Sequence, residues 1–333
     1  LIKLLGSTDL ASKEWVWRRY DYMVRTSTLQ GPGGDAAIIR LRESGKALAL
    51  TVDGNGRHTY LDPHLGGKLA VAEALRNLSC TGAEPIGITD CLNFGNPEKP
   101  EIFWQFRQAV EGMAEACRVL ETPVVGGNVS FYNEVEGEAI YPTPVVGAVG
   151  LLESDEKPCG MAFLDAGNLI LMLGAPDISL GGSQFLKSIH RKVAGRLAAI
   201  DLEFEKRLQD LLRRLIREKL ISSAHDLSDG GLAVALAESC LGGSKGASVT
   251  LPMTTNPALS LFGEGPSRAI VSLKQESLEQ VRQFAAEAAV PLFEIGSVGG
   301  DALKIALDDD LVVNLGLTEM RRTHEEVFSC IMD

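Results

Sequence analysis

Short apolar runs that halt at glycine- and amide-rich stretches, with alanine- and leucine-rich segments between them, set the tightest limit on how this chain can fold. The runs suit strands, whereas the segments between them place apolar residues three and four apart, the spacing of one helix face. Strands are expected at 36–41, 47–52, 86–89, 124–125 and 145–152, then at 169–173, 247–251, 269–273, 292–298 and 311–315. Helices are expected at 12–24, 68–80, 101–120, 184–190, 203–218, 278–289 and 318–328, with an alanine-rich helix ending near Cys240. The alternation implies an α/β (α+β) chain with polar loops at strand ends, where open α/β sheets place ligands. Composition shifts across 153–167, and the boundary placed there divides the chain into domains 1–158 and 159–333.

Other properties narrow the function. The chain has 333 residues, a formal net charge of -12, 45% hydrophobic and 23% charged residues, so it can bury a large core. An acidic surface argues against bulk nucleic-acid binding but leaves room for a pocket that holds a small anion. Six scattered cysteines without a C-x-x-C pair suit reduced, mostly buried thiols in a cytoplasmic protein. No apolar run is long enough for a bilayer, so no membrane partner is expected. The start at Leu1, with Leu-Ile-Lys-Leu-Leu, reads as a fragment.

Familiar phosphate and metal signatures are missing. There is no G-x-x-x-x-G-K-[ST] and no G-x-G-x-x-G after a strand, a Ser/Cys hydrolase elbow is not visible, and the five histidines lack zinc spacing. What remains is a set of acids and amides in glycine-rich loops: Asp53, Asn55, Asp62, Asp90, Asn93, Asn96, Asn128 and Asp226. Such oxygens suit magnesium and nucleotide phosphates, although each residue is also a good turn former. Asp90 is expected to open a loop over 90–98. Val124-Val125 reads as a strand stopped by Gly126-Gly127, with Asn128, Ser130 and Asn133 beyond it. The plain expectation for His225 is a hydrogen bond near a helix start that Asp226 or Ser228 caps, and for Glu264 and Arg268 a surface ion pair.

Three runs together resemble a known family: T-D-C-L-N-F-G-N-P-E at 89–98, P-V-V-G-G-N-V-S-F-Y-N-E at 123–134 and H-D-L-S-D-G-G-L at 225–232. They resemble the large subunit of phosphoribosylformylglycinamidine synthase, a relative of aminoimidazole ribonucleotide synthase. The resemblance implies the second half of an internal duplication, each half having an N-terminal sheet-pairing domain and a C-terminal α/β domain. It also implies a ligase of purine biosynthesis that uses ATP and Mg2+ to turn formylglycinamide ribonucleotide into its amidine. The partners it implies are the missing first half, a glutaminase subunit that delivers ammonia and a small accessory subunit. Carried over by motif, Asp90 and Gly127 contact ATP, Asn128 holds magnesium and Ser130 touches the ribonucleotide. The family's catalytic histidine has no counterpart, so no catalytic residue is assigned and the chain alone is expected to be inactive.

A second, degenerate site is also implied, because Thr51 precedes Asp53 where the first half has lysine, and Glu264-Gly265-Pro266 stands where substrate would bind. Asp226 is retained there, which suits a structural nucleotide site. Two alternatives remain: a sheet-pairing or auxiliary nucleotide-binding module, and another ATP-dependent small-molecule kinase of the superfamily. An exposed sheet face would also allow a homodimer.

Overall fold

Burial alternates along strands such as Thr143–Leu152 and is continuous along others such as Arg268–Leu273, and the apolar residues divide between two twisted sheets covered by helices. The computed structural model describes residues 1–154, 158–254 and 256–332; part of the boundary stretch 153–167 lies outside the described residues. The first part contains α1 (Ile2–Leu5), α2 (Glu14–Trp17), β1 (Thr28–Gln30), β2 (Ala37–Leu41), β3 (Lys46–Asp53), α3 (Gly56–Leu61) and α4 (Pro63–Cys80). It continues with β4 (Glu84–Asn93), α5 (Pro100–Val119), β5 (Val124–Ser130), the small hairpin β6 (Glu134–Val135) and β7 (Glu138–Ala139), and β8 (Thr143–Leu152). Its six-stranded sheet has the order β1-β2-β3-β8-β4-β5, antiparallel except for the parallel β4–β5 pair at one edge.

The second part contains β9 (Leu169–Gly174), α6 (Gln184–His190), α7 (Leu202–Arg217), β10 (Ser223–Asp226), α8 (Gly231–Gly243) and β11 (Ala247–Leu251). After these come α9 (Pro257–Phe262), β12 (Arg268–Leu273), α10 (Leu278–Glu287), β13 (Leu292–Val298), β14 (Ala302–Leu307), β15 (Asp310–Gly316), α11 (Leu317–Glu325) and α12 (Val327–Met332). Its sheet runs β10-β12-β9-β13-β11-β14-β15. Among the described residues no helix is long and apolar enough to cross a membrane, and all six cysteines are free, though only Cys80 and Cys240 are fully buried.

Several expectations need correction. The helix expected at 12–24 is a single turn, α2, because its apolar residues find little to pack on: Tyr20 is 74% exposed, and a short helix without a buried face is marginal. The helix expected from Lys68 begins at Pro63 and includes Gly66 and Gly67. Those glycines let backbones meet: a Cβ on Gly67 would strike the Ala109 carbonyl, and one on Gly112 the His64 carbonyl, so α4 and α5 cross at close range. The strand β14 and the short helix α9 are additional elements.

One face of the first sheet packs on α4 and α5 through Ile38, Ala47, Ala49, Ile88, Val146 and Ala148. The opposite face carries Ile39, Leu48, Leu50, Val52, Val145 and Val149, with Val52 72% exposed. The α1 turn instead buries Leu4 and Leu5 in the core of the second part, beside Leu232 and Leu236.

Candidate functional site

The Gly126-Gly127 pair does not end a strand. β5 runs through it to Ser130, and Asp90 sits inside β4 rather than in a loop beyond it. In β5, at the edge, the glycines keep their ladder bonds to a parallel neighbour, whereas β4 runs on past Asp90 because it is paired on both sides as far as Asn93. The register places Asp90 beside Gly127, Cys91 beside Asn128 and Asn93 beside Ser130.

Alternation then sorts the four predicted residues. Asp90 and Gly127 share the helix-covered face with Ile88 and Leu92, while Asn128 and Ser130 lie on the open face with Asn93. Gly127 has to be glycine for Asp90 to sit where it does, because a Cβ would lie 2.7 Å from the Asp90 carbonyl and closer still to its carboxylate. Partial burial raises the Asp90 pKa. Asn128 is exposed, and the Ser130 hydroxyl accepts from Asn133 Nδ2 at 3.1 Å. The four residues thus occupy adjacent rungs at one sheet edge but two different faces.

A second constellation lies between the two parts of the chain. Arg76, 2% exposed on α4, donates Nη1 to both Glu205 oxygens at 3.1 Å and Nη2 to Asp226 Oδ2 at 3.2 Å. Asn77 donates to Asp53 Oδ2 at 3.0 Å. His225 Nδ1 lies 2.8 Å from Asp35 and its Nε2 3.2 Å from Glu238, and the Asp226 backbone N–H donates to Asp35. Asp35, His225 and Glu238 border a cleft of about 510 Å³ that Thr51, Asp53, Glu73, Asn77 and Asp226 also line, with Arg76 and Glu205 behind its wall.

Crowding shifts their proton affinities. Burial, then the Asp226 charge, pushes Asp53 up to about 7, and burial drives Glu73 well above the carboxylate range. Asp226 rises to about 6 through burial, with Arg76 opposing. Burial alone would lower His225, but Asp35 and Glu238 more than offset it and hold the imidazole well above its ordinary value. Oxygen donors gathered round one cleft, short of cations, suit a hard divalent ion carrying phosphates.

The remaining expected loop residues divide plainly. Asn55 and Asp62 cap α3 and α4, and Asn96 accepts the Glu98 N–H, so these three serve as turn formers. His225 and Asp226 end a buried strand and cap nothing, since Gly230 precedes α8 without a side-chain cap. Glu264 and Arg268 are not a surface pair: both are buried, Glu264 accepting the backbone N–H groups of Gln184 and Gly230. Glu73, Arg76, Asp35, Glu205 and Glu238 were missed. Four of them stand in or beside ordinary helical runs, where only the cost of burying so many charges on one side would have marked them.

Two family models match: "AIR synthase related protein, N-terminal domain" over residues 33–152 and "AIR synthase related protein, C-terminal domain" over 165–308. The phosphoribosylformylglycinamidine synthase subunit PurL of Moorella thermoacetica is 54% identical over 332 residues, which is 100% of this chain and 45% of that protein. The same subunit from Alkaliphilus metalliredigens is 46% identical over 333 residues, with the same coverage. The chain therefore spans a little under half the length of the curated relatives it matches. Among solved structures, Thermotoga maritima PurL complexed with FGAR superposes with a TM-score of 0.79 at 19% identity, covering 98% of this chain and 53% of that one. The ATP complex of that protein gives 0.74 at 20% identity, with 98% and 53% covered; at such identities the likeness is one of fold.

Proposed function

The chain belongs to the AIR synthase related family, and from that premise we propose that it forms one half of a phosphoribosylformylglycinamidine synthase large subunit. The observation that carries this reading is the β4–β5 edge. It presents Asn128 and Ser130, with Asn93, on a sheet face that also carries the exposed aliphatic residues Ile39 and Val52, as one wall of a site needing a second wall. The relatives' greater length supplies room for that wall. Domains 1–158 and 159–333 remain our division, supported by the spans of the two family matches.

In the reaction proposed, the γ-phosphoryl group of ATP passes to the amide oxygen of formylglycinamide ribonucleotide, releasing ADP. Ammonia attacks the activated carbon, the C–O bond breaks, phosphate leaves and the amidine remains after loss of a proton. Magnesium, when bound, offsets negative charge on the transferred phosphoryl group. This chain's part is positional. Gly127 brings bare backbone to the nucleotide beside Asp90, and Ser130 offers a hydroxyl to the ribonucleotide. Asn128 fits a magnesium ligand, since its exposed carboxamide has no hydrogen-bond partner among the described residues.

The partners proposed are the other half, docked on the open sheet face, a glutaminase subunit that delivers ammonia, and a small accessory subunit. A cytoplasmic location suits the six free thiols. Without the other half, the aliphatic face favours a homodimer of the chain. The interdomain cleft supports an auxiliary nucleotide site, because Asp53, Glu73 and Asp226 are held at raised proton affinity with no cation to match them all. Replacing Asn128 by alanine in the protein joined to its other half is the test: turnover should collapse while folding is unchanged, and full activity would leave the edge a mere scaffold.

A further inference from the structure

His58 on α3 faces two acids of the second part of the chain, Asp229 after β10 and Glu264 before β12. One ligand atom from each lies within 4.8 Å of the other two, and His58 Nε2 is 3.8 Å from Glu264 Oε2. Sequence spacing hides the group, since the three residues are far apart in the chain and contain no histidine pair. A cluster alone would mean little, but Glu264 adds an independent sign. It is 7% exposed, and its Oε1 accepts the N–H groups of Gln184 and Gly230 at 2.8 and 2.7 Å. Its Oε2 is buried with no hydrogen-bond partner among the described residues, His58 Nε2 standing off at 3.8 Å.

A buried carboxylate oxygen without a donor is costly, and a native structure retains one where something else satisfies it. The space beside it is a cavity of about 30 Å³, lined by His58, Glu73, Arg76, Asp229 and Glu264, enough for an ion with a water. The cations nearby are already engaged. Arg76 is shared between Glu205 and Asp226, and Arg57 lies 3.2 and 3.3 Å from the two Asp229 oxygens. Asp229 Oδ1 also accepts from Asn55 Nδ2 at 3.0 Å, but the side chain is 35% exposed, which gives an ion a way in.

We propose that His58, Asp229 and Glu264 form a binding site for one divalent transition-metal ion that clips the two domains together. One imidazole and two carboxylates suit zinc-like ions, whereas magnesium avoids imidazole. Bonds of about 2.1 Å allow ligand atoms to lie no more than about 4.2 Å apart, so rotation of one side chain closes the site. The fourth position opens on the cavity and takes water. The ion joins α3 of the first domain to two loops of the second, so it acts on the domain junction and not on the β4–β5 edge.

The test uses the whole chain, stripped with a chelator and titrated with Zn2+ alone, with bound metal counted by emission spectroscopy and melting followed in parallel. The expected result is one zinc per chain with a raised Tm, both lost in Glu264→Gln and in Asp229→Asn, and a cobalt-substituted chain with visible bands that the same changes abolish. Should Glu264→Gln fail to fold, the partly exposed Asp229→Asn decides alone. Failure to bind one equivalent overturns the proposal. So does an equivalent retained in the folded variants, which would place the ion elsewhere, as at Asp35, His225 and Asp226.

Discussion

The β4–β5 edge and the interdomain cleft are built from opposite materials. The edge is small and carries one acid: glycines, Asn128 and Ser130 lie on an exposed strand beside Asp90, with few side-chain partners. The cleft is charged, with Arg76, Glu205 and Asp226 buried together and His225 held between two acids. The Arg76–Glu205–Asp226 triad is satisfied within the chain, whereas Asp53 and Glu73 beside it leave the cleft open to an auxiliary nucleotide. A region whose polar groups face outward beside uncovered aliphatic residues is finished by something else. That contrast supports assigning reaction contacts to the edge and cohesion to the cleft.

The most damaging change to stability should be Arg76→Met. It leaves Glu205 and Asp226 buried without their partner, and breaking a buried pair costs about 3–5 kcal/mol. Denaturant melting should show this loss, and an unchanged midpoint would mean that the triad does not hold the domains. Asn128→Ala should do the reverse, lowering turnover of the joined halves about 100-fold or more while stability stays within about 0.5 kcal/mol. Loss of both together would erase the distinction between the two regions.

Proton linkage offers a finer probe. Asp53 is raised from 3.8 to about 7 and Asp226 from 3.8 to about 6, so between those limits the folded chain holds protons that the unfolded chain has released. Stability from these acids is therefore present at low pH and lost as pH rises from about 4 through 7, in a protein free of metal and nucleotide. His225, also raised, carries the same trend above its ordinary 6.5. Asp53→Asn should flatten the decline in Tm, and a divalent ion with nucleotide should oppose it. The mildest effect is expected from Val125→Lys, at a side chain 74% exposed. It should shift stability by no more than about 0.5 kcal/mol yet reduce self-association in sedimentation.

Legibility in the sequence followed the same division. Periodicity located β11 and β13 and placed α5, α7 and α10 to within a residue or two, because each buries one regular face. It failed at Gly66-Gly67 and Gly126-Gly127, read as breaks, because a glycine's role depends on what lies against it: a second helix in one case, Asp90 in the other. Motif resemblance reached the edge, whose residues lie in two short runs. The cleft was only half legible, since Asp53 and Asp226 stood out in loops while Glu73 and Arg76 sat inside a helix that looked like plain core. Charge buried across a domain junction leaves no local pattern; it is visible only once the two parts are packed.

The most direct measurement is ATP-dependent amidine formation from formylglycinamide ribonucleotide and ammonia, with this chain alone and with its complementary half added. The account predicts no turnover from the chain alone, turnover on addition of the half, and its loss with Asn128→Ala. Substantial turnover by the chain alone, or an Asn128→Ala mixture as active as the unaltered one, would contradict it.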